Sequence, residues 1–159
     1  MATTVQFYHL LSTTRERAVP KLMEKALSSG AKVAMLCENE KSLKAISDAM
    51  WTSNPDGFLP HEPASSKTAA QNPIVLTLDE ANPNGAEILC VLNGTIPASV
   101  GSYTKVLDVF DGSDERAVTA ARERWAQYKS QGFSLQYVKQ QQGGGWKIEM
   151  DTTAEATAA

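Results

Sequence analysis

Apolar positions recur along this chain in two alternating periods. Val5 to Leu11, Val-Gln-Phe-Tyr-His-Leu-Leu, is a compact run that predicts a short strand. Thr13, Thr14 and Glu16 follow as polar residues suited to a helix start. Val19, Leu22, Met23, Ala26 and Leu27 then fall at offsets of three, four, seven and eight, one face of an amphipathic helix. Pro20 fits only near the first turns or at a kink, and Gly30 ends the segment. Lys32 to Cys37 is a second apolar strand. Strand, helix, strand is the pattern of a parallel crossover.

The alternation continues. Asn39 is a good N-cap for a helix running to about Met50, with Leu43, Ile46 and Met50 as its apolar face. Further strands are expected at Ile74–Leu78, Glu87–Leu92, Lys105–Phe110 and Phe133–Val138. Asp79 to Gly85 has turn chemistry, and Pro97 to Ser102 could form a short helix. Asp114 to Ser130 reads as the longest helix of the second half, capped by Gly132. Alternating strands and helices predict an α/β, three-layer domain with a largely parallel central sheet over residues 1–138. Residues 139–159 read as a low-complexity tail, partly disordered. Within it, Trp146-Lys147-Ile148 is too short to be a domain but could dock.

One stretch departs from this alternation. Trp51 to His61 holds two prolines, a glycine and an Asp-Gly step, which oppose regular structure. Yet Trp51, Phe58 and Leu59 are large and apolar. Such groups in a loop either pack beneath it or await a partner. A polar link, Ala64 to Asn72, follows.

Composition narrows the function. With 42% hydrophobic and 21% charged residues the chain is ordinary for a soluble domain, and its net charge of −3 opposes general attraction to nucleic acid. Cys37 and Cys90 read as buried free thiols of a reducing, cytoplasmic setting. No leader or membrane-length apolar run is evident. No Gly-x-x-x-x-Gly-Lys-Ser/Thr loop occurs, and the first strand–helix junction, His9 to Glu16, contains no glycine for a dinucleotide. Gly143-Gly144-Gly145 follows the last predicted strand, so it reads as a link, not a phosphate loop. His9, at a strand end, reads as structural. Asp48, Asp56 and Glu62 lie near His61 in sequence, but loop carboxylates are usually solvated. The expectation is no catalytic residues, no cofactor and no metal.

Several pieces together resemble a known family. They are Phe7-Tyr8-His9-Leu10, Cys37-Glu38-Asn39-Glu40, Trp51 with Phe58-Leu59-Pro60-His61-Glu62, Asp108-Val109-Phe110, Ala121-Arg122-Glu123-Arg124-Trp125, and Gly132-Phe133. In this order and spacing, over roughly residues 3 to 138, the chain resembles the chi subunit of bacterial DNA polymerase III. The resemblance implies a Rossmann-like fold without nucleotide chemistry. It also implies a non-catalytic adaptor that joins the clamp loader, through the psi subunit, to the acidic C-terminal tail of single-stranded DNA-binding protein. Contact with DNA itself would be indirect or weak, and no membrane is involved.

The resemblance assigns two surfaces. Trp51, Phe58, Pro60 and His61 fall on the psi side, where aromatic anchors suit a permanent interface. Arg122, Trp125, Phe110 and Lys129 fall on the tail side. Arg122 matches the family's tail-binding arginine, Trp125 stands where other members have tyrosine, and Phe110 matches an apolar wall. Val118 stands where some members carry a contacting lysine, a role Lys129 could take. Val118, Ala121, Trp125 and Tyr128 form one helical stripe, which also reads simply as a core face. Two other classes stay open: a small α/β nucleotide-binding or hydrolytic enzyme without a recognisable phosphate loop, and a direct single-stranded DNA-binding domain.

Overall fold

A computed structural model of the chain describes residues 3–11, 15–52, 61–63, 71–79, 84–92, 94–141 and 145–151. In chain order these form β1 (Thr4–Leu10), α1 (Arg15–Ser28), β2 (Val33–Leu36), α2 (Glu40–Thr52), β3 (His61–Pro63), β4 (Ile74–Thr77), β5 (Ile88–Val91), β6 (Lys105–Asp111), α3 (Glu115–Ser130), β7 (Ser134–Gln140) and β8 (Trp146–Asp151). A single 3-10 turn, Val100–Ser102, precedes β6.

The described strands make one sheet in the order β3-β4-β2-β5-β6-β1-β7-β8. Neighbours are parallel except β7 and β8, which are antiparallel. The β1–α1–β2 crossover therefore exists but steps over two strands, β6 and β5. The near-continuous apolar runs at β2, β4 and β5 follow from this position, since each is buried along its whole length. Cys37 and Cys90 are buried.

The faces separate by alternation. Tyr8, Leu10, Leu107 and Val109 point to the side covered by α1 and α2, where Val19, Met23, Ile46 and Met50 pack on them. Val5, Phe7, Val106 and Phe110 point to the opposite side, under α3. This is the α/β three-layer arrangement, Rossmann-like in class. Helix ends are set as the sequence predicts. Asn39 Oδ1 accepts from Ser42 N at 2.9 Å, and Asp114 Oδ1 accepts from Arg116 N at 2.9 Å. Gly132, at φ +88°, lets Phe133 N turn back to Tyr128 O at 3.2 Å. Pro20 is accommodated inside α1, in its second turn.

Three local expectations change. Trp51 is not in a loop: α2 continues through Thr52, whose hydroxyl donates to Asp48 O at 2.9 Å. His61 is not in a loop either. It opens the edge strand β3, which needs only one partner and so tolerates Pro63 at its end. Finally, residues beyond 138 add to the sheet. β7 runs to Gln140, and the Trp146 segment docks on it as β8, with the Trp146 ring edge-on to Tyr8 at 5.2 Å. The Phe58–Pro60 part of the Trp51–His61 stretch and the tail after Asp151 lie outside the described residues.

Candidate functional site

The register of three strands builds the tail-side surface. His9 of β1 stands beside Phe110 of β6 and Lys139 of β7, one residue from each strand in a row near their C-terminal ends. Two residues earlier, Phe7 stands beside Asp108 and Tyr137. Both rows project toward α3.

Helix α3 covers most of these rows. Ala121 and Tyr128 are fully buried, so the stripe is a core face along its centre. Val118 and Trp125 lie half-buried at its margin. Trp125 meets Phe7 edge-on at 5.5 Å and Tyr137 at 6.0 Å. Phe110 meets His9 at 5.2 Å and Tyr137 at 6.2 Å. The rings thus form one connected edge-to-face cluster, a rigid arrangement of low entropy cost. Arg122 and Lys129, on either side of Trp125 along the helix, are exposed. Three of the predicted residues, Arg122, Trp125 and Phe110, gather at one place. Phe110 is 5% exposed. Lys129 lies one turn beyond Trp125.

Sequence reasoning took His9 as a structural strand-end residue. The structure sets it inside this cluster, half-buried, with Nδ1 hydrogen-bonded to the Tyr137 hydroxyl. Burial, then the positive charges of Lys139 and Arg122, hold its pKa below the ordinary histidine value, with Asp111 opposing. Burial also raises the Tyr137 phenol, against the pull of Arg122 and with a contribution from Glu149. Arg122 is therefore within electrostatic reach of both rings.

The second arginine of the run has a different place. Arg124 is 7% exposed and Asp108 1%, and they form a two-pronged pair: Nε to Oδ2 at 2.7 Å and Nη2 to Oδ1 at 2.9 Å. Nη1 donates to Gly94 O at 3.2 Å. Burial pushes the Asp108 carboxyl up, and the hydrogen bonds and charge of Arg124 pull it back. Beyond Arg124, on the far side of α3 from Arg122, a cavity of about 420 Å³ opens over the ends of β5 and β6. Glu38, Asp111 and Asp114 line it. That is where an α/β sheet usually takes a ligand, yet its carboxylates would repel a phosphate. Among the described residues no three His, Cys, Asp or Glu side chains gather as a metal site.

The other surface is at the opposite sheet edge. Trp51 is 51% exposed and lies over the His61 ring, centroids 4.4 Å apart and tilted by 40°. His61 is only 3% exposed, and its Nε2 pairs with Ser47 Oγ at 3.0 Å. The tryptophan does not fold beneath the chain; the histidine does, and it props the indole outward.

The family model described as DNA polymerase III chi subunit, HolC, matches residues 2–136. The chain belongs to the DNA polymerase III chi subunit family. It is 33% identical over 139 residues to DNA polymerase III subunit chi of Haemophilus influenzae, covering 85% of this chain and 96% of that one. It is 29% identical to the Pseudomonas aeruginosa protein of the same name, over 84% of this chain and 94% of that one. With the Escherichia coli subunit chi it shares 26% identity, over 76% of this chain and 82% of that one. The chi-family match ends within β7, so β8 lies outside it. No described helix is long and apolar enough to cross a membrane.

Proposed function

We propose that this chi-family chain is a non-catalytic accessory subunit of DNA polymerase III that acts as an adaptor. One surface takes the acidic C-terminal tail of single-stranded DNA-binding protein; the other joins psi and, through it, the clamp loader. The observation that carries the reading is the exposed Arg122 beside a half-open ring cluster of Trp125, Phe110 and Tyr137. An acidic peptide ending in an apolar side chain and a free carboxylate needs that combination. The rings receive the apolar group, and a guanidinium grips the carboxylate with two parallel hydrogen bonds. Charge supports the same side of α3: Arg122, Lys129 and Lys139 lie there, whereas Glu38 and Asp114 line the cavity on the other. For psi, the support is the propped, half-exposed indole of Trp51, with Phe58 and Pro60 following in sequence.

The test is calorimetric titration with the C-terminal peptide of the same organism's single-stranded DNA-binding protein. Binding should weaken with salt and require the peptide's last residues. Arg122→Ala should cost roughly 1.5–3 kcal/mol, the worth of a charge-assisted hydrogen bond. Trp51→Ala should leave the peptide unaffected and break co-purification with psi. No binding at millimolar peptide would remove the tail function; loss of psi pairing in a folded Arg122→Ala protein would remove the two-surface picture.

A further inference from the structure

We propose that His9 is a specificity-determining residue of the Arg122 surface: fixed by Tyr137 and given room by Gly112, it binds a second carboxylate of the acidic peptide beside the one held by Arg122. The inference rests on the reading that this surface takes an acidic peptide, and it adds which residue selects for a second acidic group and at what pH.

Three observations converge on the ring. First, its place is set by backbone register, between Phe110 and Lys139, at the open margin of the cluster. Second, its orientation is fixed. Nδ1 is engaged by the Tyr137 hydroxyl, and the ring stands edge-to-face with Phe110 at 5.2 Å and with Tyr137 at 5.7 Å. The phenol stays protonated at neutral pH, so it can donate to Nδ1. The ring proton then resides on Nε2, a donor with no part in the Tyr137 bond. Third, the Nε2–Cδ2 edge of the ring is seated against a glycine. A Cβ at position 112 would come within 2.1 Å of His9 Nε2 and Cδ2, and 2.3 Å of Leu10 O. Any side chain there would displace the ring, while Gly112 N donates to Leu10 O at 2.8 Å and ties the turn to β1.

The surrounding charges supply a pH dependence. Facing His9 are Lys139 and Tyr137 from β7, Arg122 from α3 and Asp111 from β6. Glu149 acts on Tyr137 from β8, and Lys147 is paired across from Lys139. Without a bound anion, burial and the two cations favour neutral imidazole. An arriving carboxylate offsets those cations and favours the imidazolium, so the histidine's pKa rises on binding. Binding then takes up protons. Affinity is flat above the bound-state pKa, rises as pH falls through the interval, and levels below the free-state pKa. A one-unit rise on binding gives up to about tenfold tighter binding at the acidic end. Peptide carboxylates, with pKa values near 4, stay ionised through this window.

The experiment uses the full chain and a synthetic acidic peptide with a free C-terminal carboxylate. It is titrated at pH 5.5, 6.5 and 7.5 in two buffers of different ionisation enthalpy (about tenfold total change in affinity at most). Wild type should bind more tightly at the acidic end, with net proton uptake. His9→Gln should abolish the uptake and flatten the profile. Tyr137→Phe, which frees the ring, should weaken binding at every pH. Wild-type binding with no proton uptake, or a His9→Gln profile like wild type, overturns the proposal and leaves the peptide reading standing. No binding by wild type at any pH overturns both. Should His9→Gln fail to fold, labelled-histidine NMR on wild type decides it: a His9 pKa that rises with peptide supports the proposal, and one that stays fixed overturns it. His61, the other histidine of the chain, serves as the internal control.

Discussion

The two arginines of α3 give the sharpest contrast, and Arg124→Leu is the perturbation that exposes it. In the native protein Asp108, 1% exposed, has both carboxylate oxygens bonded to Arg124, at 2.7 and 2.9 Å. Removing the arginine strands a buried carboxylate and also leaves Gly94 O without that donor. Breaking one partner of a buried pair costs about 3–5 kcal/mol. For a domain of this size each kcal/mol corresponds to roughly 2–4 °C, so the melting temperature should fall by roughly 6–20 °C. Replacing both residues, Asp108→Leu with Arg124→Leu, should recover most of that loss, because desolvation nearly cancels attraction in a buried pair. Chemical denaturation of wild type, both single variants and the double variant closes the cycle. An Arg124→Leu penalty below about 1 kcal/mol would refute the argument, since exposed pairs are worth that little. So would a double variant less stable than either single one. Arg122→Ala, by contrast, should lose peptide affinity and keep stability.

Two further outcomes follow from buried phenols. The Tyr8 pKa is pushed up from 10.0 to about 12 by burial and then by Cys90, so its folded-state value exceeds its unfolded one. The associated stability is complete below pH 10 and is lost as pH rises toward about 12. Two units correspond to at most about 2.7 kcal/mol. Denaturation midpoints across that window should fall with pH for wild type and less so for Tyr8→Phe. Tyr128 also has its pKa raised by burial, and its hydroxyl is buried without a hydrogen-bond partner among the described residues. Tyr128→Phe removes that orphan group, so stability at pH 7 should stay level or rise by up to about 1 kcal/mol. A loss above that would mean the hydroxyl has a partner.

What the sequence made legible were the elements with a strong period. β1, β2 and β4 to β7 are apolar runs, and α1 to α3 carry clear stripes and caps. β3 escaped because three residues ending in proline, bonded on one side only, have no alternation to read. β8 escaped because its two aliphatic residues, Ile148 and Met150, are both exposed and an irregularity in its pairing with β7 breaks its register. Trp51 fell one residue past the predicted helix end, since nothing in the sequence marks where a frayed end stops. At the candidate site, Arg122 and Trp125 are local on one helix, and the family resemblance singled them out. His9 was not placed with them. Its neighbours Phe110 and Lys139 are over a hundred residues away, and only the register of three parallel strands sets them in one row.

That register also explains why the helix needs both arginines. Arg122 and Arg124 are two residues apart, about 200° around α3. When Arg124 is drawn down onto Asp108, Arg122 is necessarily turned out. The buried pair contributes little net stability, but it fixes one rotation of α3 over the sheet. Asp108 is in the row of Phe7 and Tyr137, one pleat from the row of His9. Locking the helix there sets Trp125 on Phe7 and Tyr137, and it brings Arg122 within reach of His9. A rotation of even one residue would exchange the two guanidinium directions for Glu123 and Trp125. The charged surface is therefore only as well defined as the buried pair beneath it. A double apolar replacement that restores stability yet blurs peptide affinity would be the signature of that coupling.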